Sequence, residues 1–383
     1  TTNATGFYQF CNLMPGTYTL SETLKPGYQA GTSPGTVTLA CNQNLTDQNF
    51  VNTKLLCISG YKLDGCTQAG LADWTITLKD SSGAAVGTTT TSGTGFYQFC
   101  NLAPGTYVLS ETLKAGYQAG AAPGTVTLGS SNLTNQNFVN TKLLCISGYK
   151  LDAATSTGLP GWTITLKDSS GTTVGTAVTD QAGFYQFCNL MPGTYSLSET
   201  LKAGYQAGTS PGTVTLVCNQ NLTDQNFVNT KLLCISGYKL DACSGAGLPD
   251  WTITLKDSSG TTVGTAVTDP AGFYQFCNLV PGTYTLSETL KPGYQAGTSP
   301  GTVTLTTENA QNRNFTNTKL LCISGYKLDA ATNAGLPDWT ITLKDSSGAT
   351  IGTAVTDQAG FYQFCNLVPG TYTLSETLKA GYQ

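Results

Sequence analysis

The chain repeats itself, and its cysteines repeat with it. The phrase LLCISGYKLD occurs four times, with its cysteine at Cys57, Cys145, Cys234 and Cys322. The phrase GFYQFCNL occurs five times, carrying Cys11, Cys100, Cys188, Cys277 and Cys365. Each cysteine of the first kind precedes one of the second kind by 43 residues. A fixed period of this size marks an array of similar domains and takes precedence over any local motif. The constant spacing predicts one disulfide per domain: Cys57–Cys100, Cys145–Cys188, Cys234–Cys277 and Cys322–Cys365.

A second cysteine set follows a longer period. Cys41 and Cys66 lie 25 residues apart, and so do Cys218 and Cys243. One domain after each pair, the counterparts are Ser130 with Ala154, and Thr307 with Ala331. Both members are present or absent together, which predicts the bonds Cys41–Cys66 and Cys218–Cys243, each crossing a domain junction. The alternative is chance covariation among few copies. In the chain-entropy model a loop of that length contributes about 3.5 kcal/mol, and the longer loop within a domain about 4 kcal/mol. Of 13 cysteines only Cys11 is then unpaired. Its partner is expected before Thr1, so the chain reads as a stretch of a longer polypeptide or a subunit completed by its neighbours.

The period divides the chain into 1–53 (partial), 54–141, 142–230, 231–318 and 319–383 (partial). Histidine is absent, Arg313 is the only arginine, 10% of residues are charged and the net charge is -4. Nothing resembles a basic nucleic-acid face. No run of 18 apolar residues is present, so no transmembrane helix is expected in this stretch. A signal peptide is not visible, and a chain starting in mid-repeat would not show one. Regularly paired cysteines place the protein in an oxidising, extracytoplasmic setting. Zinc is disfavoured, because there is no CxxC and no histidine to complete a site. No metal or cofactor is expected.

Abundant Thr, Val, Tyr and Gly, with turn signals every 8–12 residues or so, read as an all-β sandwich. In residues 54–141, Leu56, Ile58 and Lys62 share one face of a strand, while Cys57, Ser59 and Tyr61 share the other. Trp74, Ile76 and Leu78 alternate with polar residues. Asp80-Ser81-Ser82-Gly83 reads as a hairpin turn. Tyr97 with Phe99, then Tyr107 with Leu109, Val126 with Leu128, and Phe138 continue the pattern. About seven short strands per domain suit two packed sheets.

Three polar residues fall on faces that are otherwise apolar: Lys62, Glu111 and Asn140. The trio recurs as Lys150, Glu199 and Asn229, and as Lys239, Glu288 and Asn317. A charge on an inner face is costly unless paired. One reading is a buried hydrogen-bonded cluster and nothing more.

The run from Gly95-Phe96-Tyr97-Gln98-Phe99 through Glu111 to Gly116-Tyr117 resembles the Cna B-type and SdrD B-like repeats of surface adhesins and pilus shafts. The resemblance covers every repeat. It implies a prealbumin-like, reversed immunoglobulin sandwich. It also implies an isopeptide bond between a first-strand lysine and a last-strand asparagine, assisted by a glutamate. Carried onto this sequence, Lys62 would join Asn140, Lys150 would join Asn229 and Lys239 would join Asn317. Glu111, Glu199 and Glu288 would shuttle the proton. A desolvated amine loses its proton readily and a desolvated carboxyl keeps one, so amide exchange is feasible in a dry site. The calcium loop of SdrD B repeats is not matched. Asp64-Gly65-Cys66-Thr67-Gln68 carries one carboxylate, too few for a hard cation.

Only Thr53-Lys54-Leu55-Leu56 separates Asn52 from Cys57, with no Gly or Pro, so the junction is not a flexible tether. Asn44, Asn132 and Asn221 each begin an Asn-Leu-Thr triplet at an equivalent loop position and are candidate glycan acceptors. The expected function is a structural component of an extracellular filament, stalk or sheath, polymerised with itself or continuing in further repeats. The alternative is an adhesin whose array displays a ligand-binding surface. Catalytic turnover is not expected; the isopeptide reaction is a single self-directed event. Phe96, Tyr97 and Phe99 could form a carbohydrate face, but two of the three alternate inward.

Overall fold

A computed structural model describes residues 1–383, and every regular element in it is a strand. Residues 54–141 show the plan of a complete repeat. Its strands are β1 (Leu56–Asp64), β2 (Thr75–Asp80), β3 (Ala85–Thr90), β4 (Phe96–Leu102), β5 (Gly105–Glu111), β6 (Tyr117–Ala119), β7 (Thr125–Leu128) and β8 (Phe138–Lys142). One sheet has the order β6-β8-β1-β4, the other β7-β5-β2-β3. All neighbours are antiparallel except β8 and β1, which run parallel with Phe138 opposite Lys62 and Asn140 opposite Asp64.

Alternation drives these strands, as the burial of β2 shows: Ile76 and Leu78 are fully buried while Thr75 and Thr77, on the other face, are only half-buried. The β2–β3 hairpin follows from Asp80. Its Oδ1 accepts from Ser82 N, Ser82 Oγ and Ala84 N, and Gly83 takes the left-handed conformation at φ 89°. Gly60 answers a different demand. A Cβ there would stand 2.0 Å from Gln136 O, so only glycine lets β1 pass beneath that loop. Tyr97 OH donates to the same Gln136 carbonyl. Ile58, Ile76, Leu78, Tyr97, Leu109, Leu128 and Phe138 meet in one apolar core between the sheets. Residues 142–230 and 231–318 repeat this core with equivalent residues.

The three-residue strand β6 lies outside the sequence expectation, since so short a segment has no alternation to read. Phe96 faces outward against Tyr61, with ring centroids 5.4 Å apart, while Tyr97 and Phe99 are buried.

Because β8 runs parallel to β1, the chain enters each repeat at one end of the sandwich and leaves at the other. A single residue, Leu143, stands between β8 and the next first strand, Leu144–Asp152. Its N–H is itself bonded to Gly116 O at 2.8 Å. Leu55, Leu232 and Leu320 sit at the other junctions with the same backbone bond to Gly27, Gly204 and Gly293.

Bonds join Cys57 to Cys100, Cys145 to Cys188, Cys234 to Cys277 and Cys322 to Cys365. The second set differs from the spacing-based expectation. Cys66 is bonded to Cys218, 152 residues away, while Cys41 and Cys243 are exposed and unpaired, as is Cys11. The parallel pairing of first and last strands explains the correction. Cys66 follows β1 and therefore lies at the trailing end of its repeat, where Gly65 N donates to Asn140 O. Cys218 follows Thr213–Leu216, whose pairing of Leu216 with Gly193 puts it at the leading end of its own repeat. The two meet where repeat 54–141 gives way to repeat 142–230. Cys41 and Cys66 occupy opposite ends of successive repeats, and so do Cys218 and Cys243. A spacing of 25 along the sequence does not survive as proximity.

Candidate functional site

The inner-face trio is assembled by three strands from two sheets. Lys62 projects from β1 and Asn140 from the adjacent β8, on the face that carries Phe138. Glu111 comes from the end of β5 in the opposite sheet. Lys62 Nζ lies 2.6 Å from Glu111 Oε2, and the corresponding distances are 2.7 Å for Lys150–Glu199 and 2.5 Å for Lys239–Glu288. The three lysine side chains are wholly buried. Asn140, Asn229 and Asn317 are buried as well.

The polar atoms here are poorly satisfied. Beyond their mutual contact, Lys62 Nζ and Glu111 Oε2 have no hydrogen-bond partner, and Asn140 Nδ2 has none at all. The same three atoms stand out in the two following repeats. Gly120 N donates to Asn140 Oδ1 at 3.4 Å, which turns the amide oxygen toward the backbone and the amino group away from it. Burial pulls the Lys62 amine below the usual lysine range, against the opposing pull of Glu111; Lys150 and Lys239 respond alike. Unsatisfied buried polar atoms are rare, because each costs about 1–3 kcal/mol. Their recurrence at one place in every complete repeat demands a reason.

A fourth residue, absent from the sequence reading of the site, closes it. Trp74 lies with its ring centroid 4.5 Å from Lys62 Nζ, and Trp162 and Trp251 repeat the contact at 4.6 and 4.5 Å. Thr91 fixes the tryptophan: its Oγ1 accepts from Trp74 N and donates to Leu71 O. Tyr117 packs edge-on against the indole. A cation over an aromatic face is stabilised, yet the ring also excludes water from the amine. The signal was present: each of these tryptophans follows its lysine by twelve residues.

The partial repeats hold parts of the same site. In residues 1–53, Asn52 Nδ2 donates to Glu22 Oε2 at 2.9 Å. In residues 319–383, Lys327 Nζ lies 2.7 Å from Glu376 Oε2, and both side chains are partly exposed. The carboxylate position therefore reaches the asparagine in one setting and the lysine in another.

The candidate glycan acceptors are exposed, but two of them have structural work. Asn132 Oδ1 accepts from Cys57 N and Asn221 Oδ1 from Cys145 N. Asn309 does the same for Cys234 N, although Ala310 and Gln311 follow it and no acceptor triplet exists there.

Two family models match this architecture. The prealbumin-like fold domain of the SpaA type matches residues 145–231 and 234–319, and the SdrD B-like domain matches residues 59–152 and 325–383. The chain is a tandem array of SdrD B-like, prealbumin-like repeats. Serine-aspartate repeat-containing protein F of Staphylococcus epidermidis is 26% identical over 382 residues, covering 80% of this chain and 22% of its own length. Serine-aspartate repeat-containing protein D of Staphylococcus aureus (strain MW2) is 28% identical over 391 residues, covering 82% of this chain and 28% of its own. The chain thus spans less than a third of these relatives. Among solved structures, BcpA, the major pilin subunit of Bacillus cereus, is 16% identical with a TM-score of 0.40, covering 70% of this chain and 100% of that one. The Bacillus anthracis TIE protein is 19% identical with a TM-score of 0.35, covering 80% of this chain and 69% of that one. The SdrD B-like, prealbumin-like array lies at the cell surface or outside the cell. No helix is long and apolar enough to cross a membrane.

Proposed function

We propose that this segment is a stiff, covalently stapled rod in an extracellular filament or stalk, and that each complete repeat closes an isopeptide bond. One observation carries the reading: the three buried atoms without adequate partners are the three that the reaction would consume or rebond. Moving a proton from Lys62 Nζ to Glu111 Oε2 turns the ion pair into a neutral amine and a neutral acid. The amine attacks Asn140 Cγ, a C–N bond forms, and the C–Nδ2 bond breaks. The shuttled proton leaves with Nδ2 as ammonia. The attacking nitrogen, cationic after the addition, gives one of its two protons back to Glu111, which ends as a neutral carboxylic acid beside the new amide. Lys62, Glu111 and Asn140 end with no buried charge pair and no orphaned amino group.

The bond would sit on the tensile path. Force enters at Leu56, leaves at Lys142 and crosses from β1 to β8 through Lys62 and Asn140. The sandwich between them stays unloaded. One-residue junctions pass the force to the next repeat. Self-association or continuation in further repeats is the partner this geometry suits, and sugars on the outer loops are compatible with it.

A second reading, display of an adhesive surface, is favoured by the outward Tyr61–Phe96 pair, which recurs as Tyr149–Phe184 and Tyr238–Phe273. Single-molecule stretching of the whole chain separates stalk from display. A stalk gives no unfolding length from the three complete repeats. Full extension of each repeat would contradict it. Retention of the unmodified chain on a glycan array through the aromatic pairs would move the balance to adhesion.

A further inference from the structure

The Cys66–Cys218 bond fixes more than one junction's pose. The loop after β1 always lies at the trailing end of a repeat, and the segment after the seventh strand always lies at the leading end. A cysteine of the first place therefore faces forward and one of the second place faces backward. Asn219 Nδ2 approaches Asp64 Oδ1 at 3.5 Å beside the bond, so the two ends are apposed as well as linked. Cys243, the next cysteine in the forward-facing place, lines a crevice of about 360 Å³ with Asp241 and Tyr294 of its own repeat, Lys319 at the junction and Pro369 of the following repeat. It too faces forward. Between these two junctions lies a third, from repeat 142–230 to repeat 231–318. There the same two places hold Ala154 and Thr307. Asp152, the equivalent of Asp64, is nonetheless buried at that junction, as Asp64 is at its own.

We infer that all junctions share one pose and that the disulfide locks every second one. The mechanical unit is then a rigid block of two repeats, and the rod bends at the unlocked junctions between blocks. The lock is redox-sensitive: closing it releases two protons and two electrons to a disulfide oxidant, and a dithiol reductant reopens it. Sequence spacing had assigned the locks to the other set of junctions, those that the structure leaves open.

The test uses the whole chain with Cys11→Ser, Cys41→Ser and Cys243→Ser to remove unpaired thiols. Into this background go Ala154→Cys and Thr307→Cys, and in a separate protein Ser130→Cys and Ala154→Cys. Both are treated with oxidised glutathione. The shared pose predicts a near-complete 154–307 bond by peptide mapping and none between 130 and 154. Free thiols at 154 and 307, or a 130–154 bond, overturn it. Small-angle scattering then reads the stiffness. The maximum dimension should rank the doubly locked 154–307 protein first, the background second and a Cys66→Ser, Cys218→Ser variant last. Coincident curves for the three would show that the bond does not set the rod's compliance and would overturn the block model.

Discussion

Asn52 Nδ2 donates to Glu22 Oε2 at 2.9 Å, whereas the equivalent Glu111 in a complete repeat touches Lys62 Nζ. One carboxylate position thus serves both partners of the proposed bond. Glu111→Ala should abolish ammonia loss from its own repeat and leave Cys57–Cys100 intact. It also strands the Lys62 amine in a dry site, at a cost of about 3–5 kcal/mol. Thermal unfolding of fragment 54–141 checks the second effect. An unchanged midpoint would mean that the amine is hydrated.

The pH dependence has a definite sign. Burial lowers the folded-state pKa of Lys62 below the ordinary value of 10.5. In an Asn140→Ala fragment, which cannot close the bond, the unfolded state binds more protons than the folded one in the window below 10.5. Stability therefore rises with pH across that window. Denaturant titrations at neutral and alkaline pH should show it. In the cross-linked fragment the lysine no longer titrates, and this contribution should vanish.

Alkylation without reduction should label Cys11, Cys41 and Cys243, the three exposed free thiols. Mapping of the remaining peptides should recover Cys66 with Cys218. Recovery of Cys41 with Cys66 would contradict the parallel arrangement of first and last strands.

Asn132 and Asn309 should behave alike on substitution, although only Asn132 begins an acceptor triplet. Each caps the N–H of a disulfide cysteine, so Asn132→Ala and Asn309→Ala should each cost about 1 kcal/mol in unglycosylated protein. A loss at Asn132 alone would remove the structural account of this position. Peptides from native material report whether Asn44, Asn132 and Asn221 also carry sugar.

Much of the fold was written in local pattern. Alternation placed Ile76, Leu78, Tyr97 and Leu109 inward, and the odd polar residues on those faces picked out Lys62, Glu111 and Asn140. What the pattern lacked was direction. Whether the last strand runs parallel or antiparallel to the first is not encoded in alternation. That one fact decides which end of a repeat holds Cys66, and so which cysteine it meets. Trp74 was legible as an inward residue but not as the ring over Lys62, because its place opposite the amine depends on Thr91 and on the packing of the two sheets. The recurrence of Asn132 read as a modification signal, while the structure shows a backbone cap that Asn309 shares without the triplet.

The most direct test is the intact mass of the oxidised 383-residue chain, unmodified by mutation. Three repeats hold lysine, glutamate and asparagine together; Lys327 has no asparagine partner in this chain, and Asn52 has no lysine. The account predicts a deficit of three ammonia molecules beyond the disulfide hydrogens, with cross-linked peptides joining Lys62 to Asn140, Lys150 to Asn229 and Lys239 to Asn317. A mass with no ammonia deficit would contradict it and leave the buried trio as a non-covalent cluster.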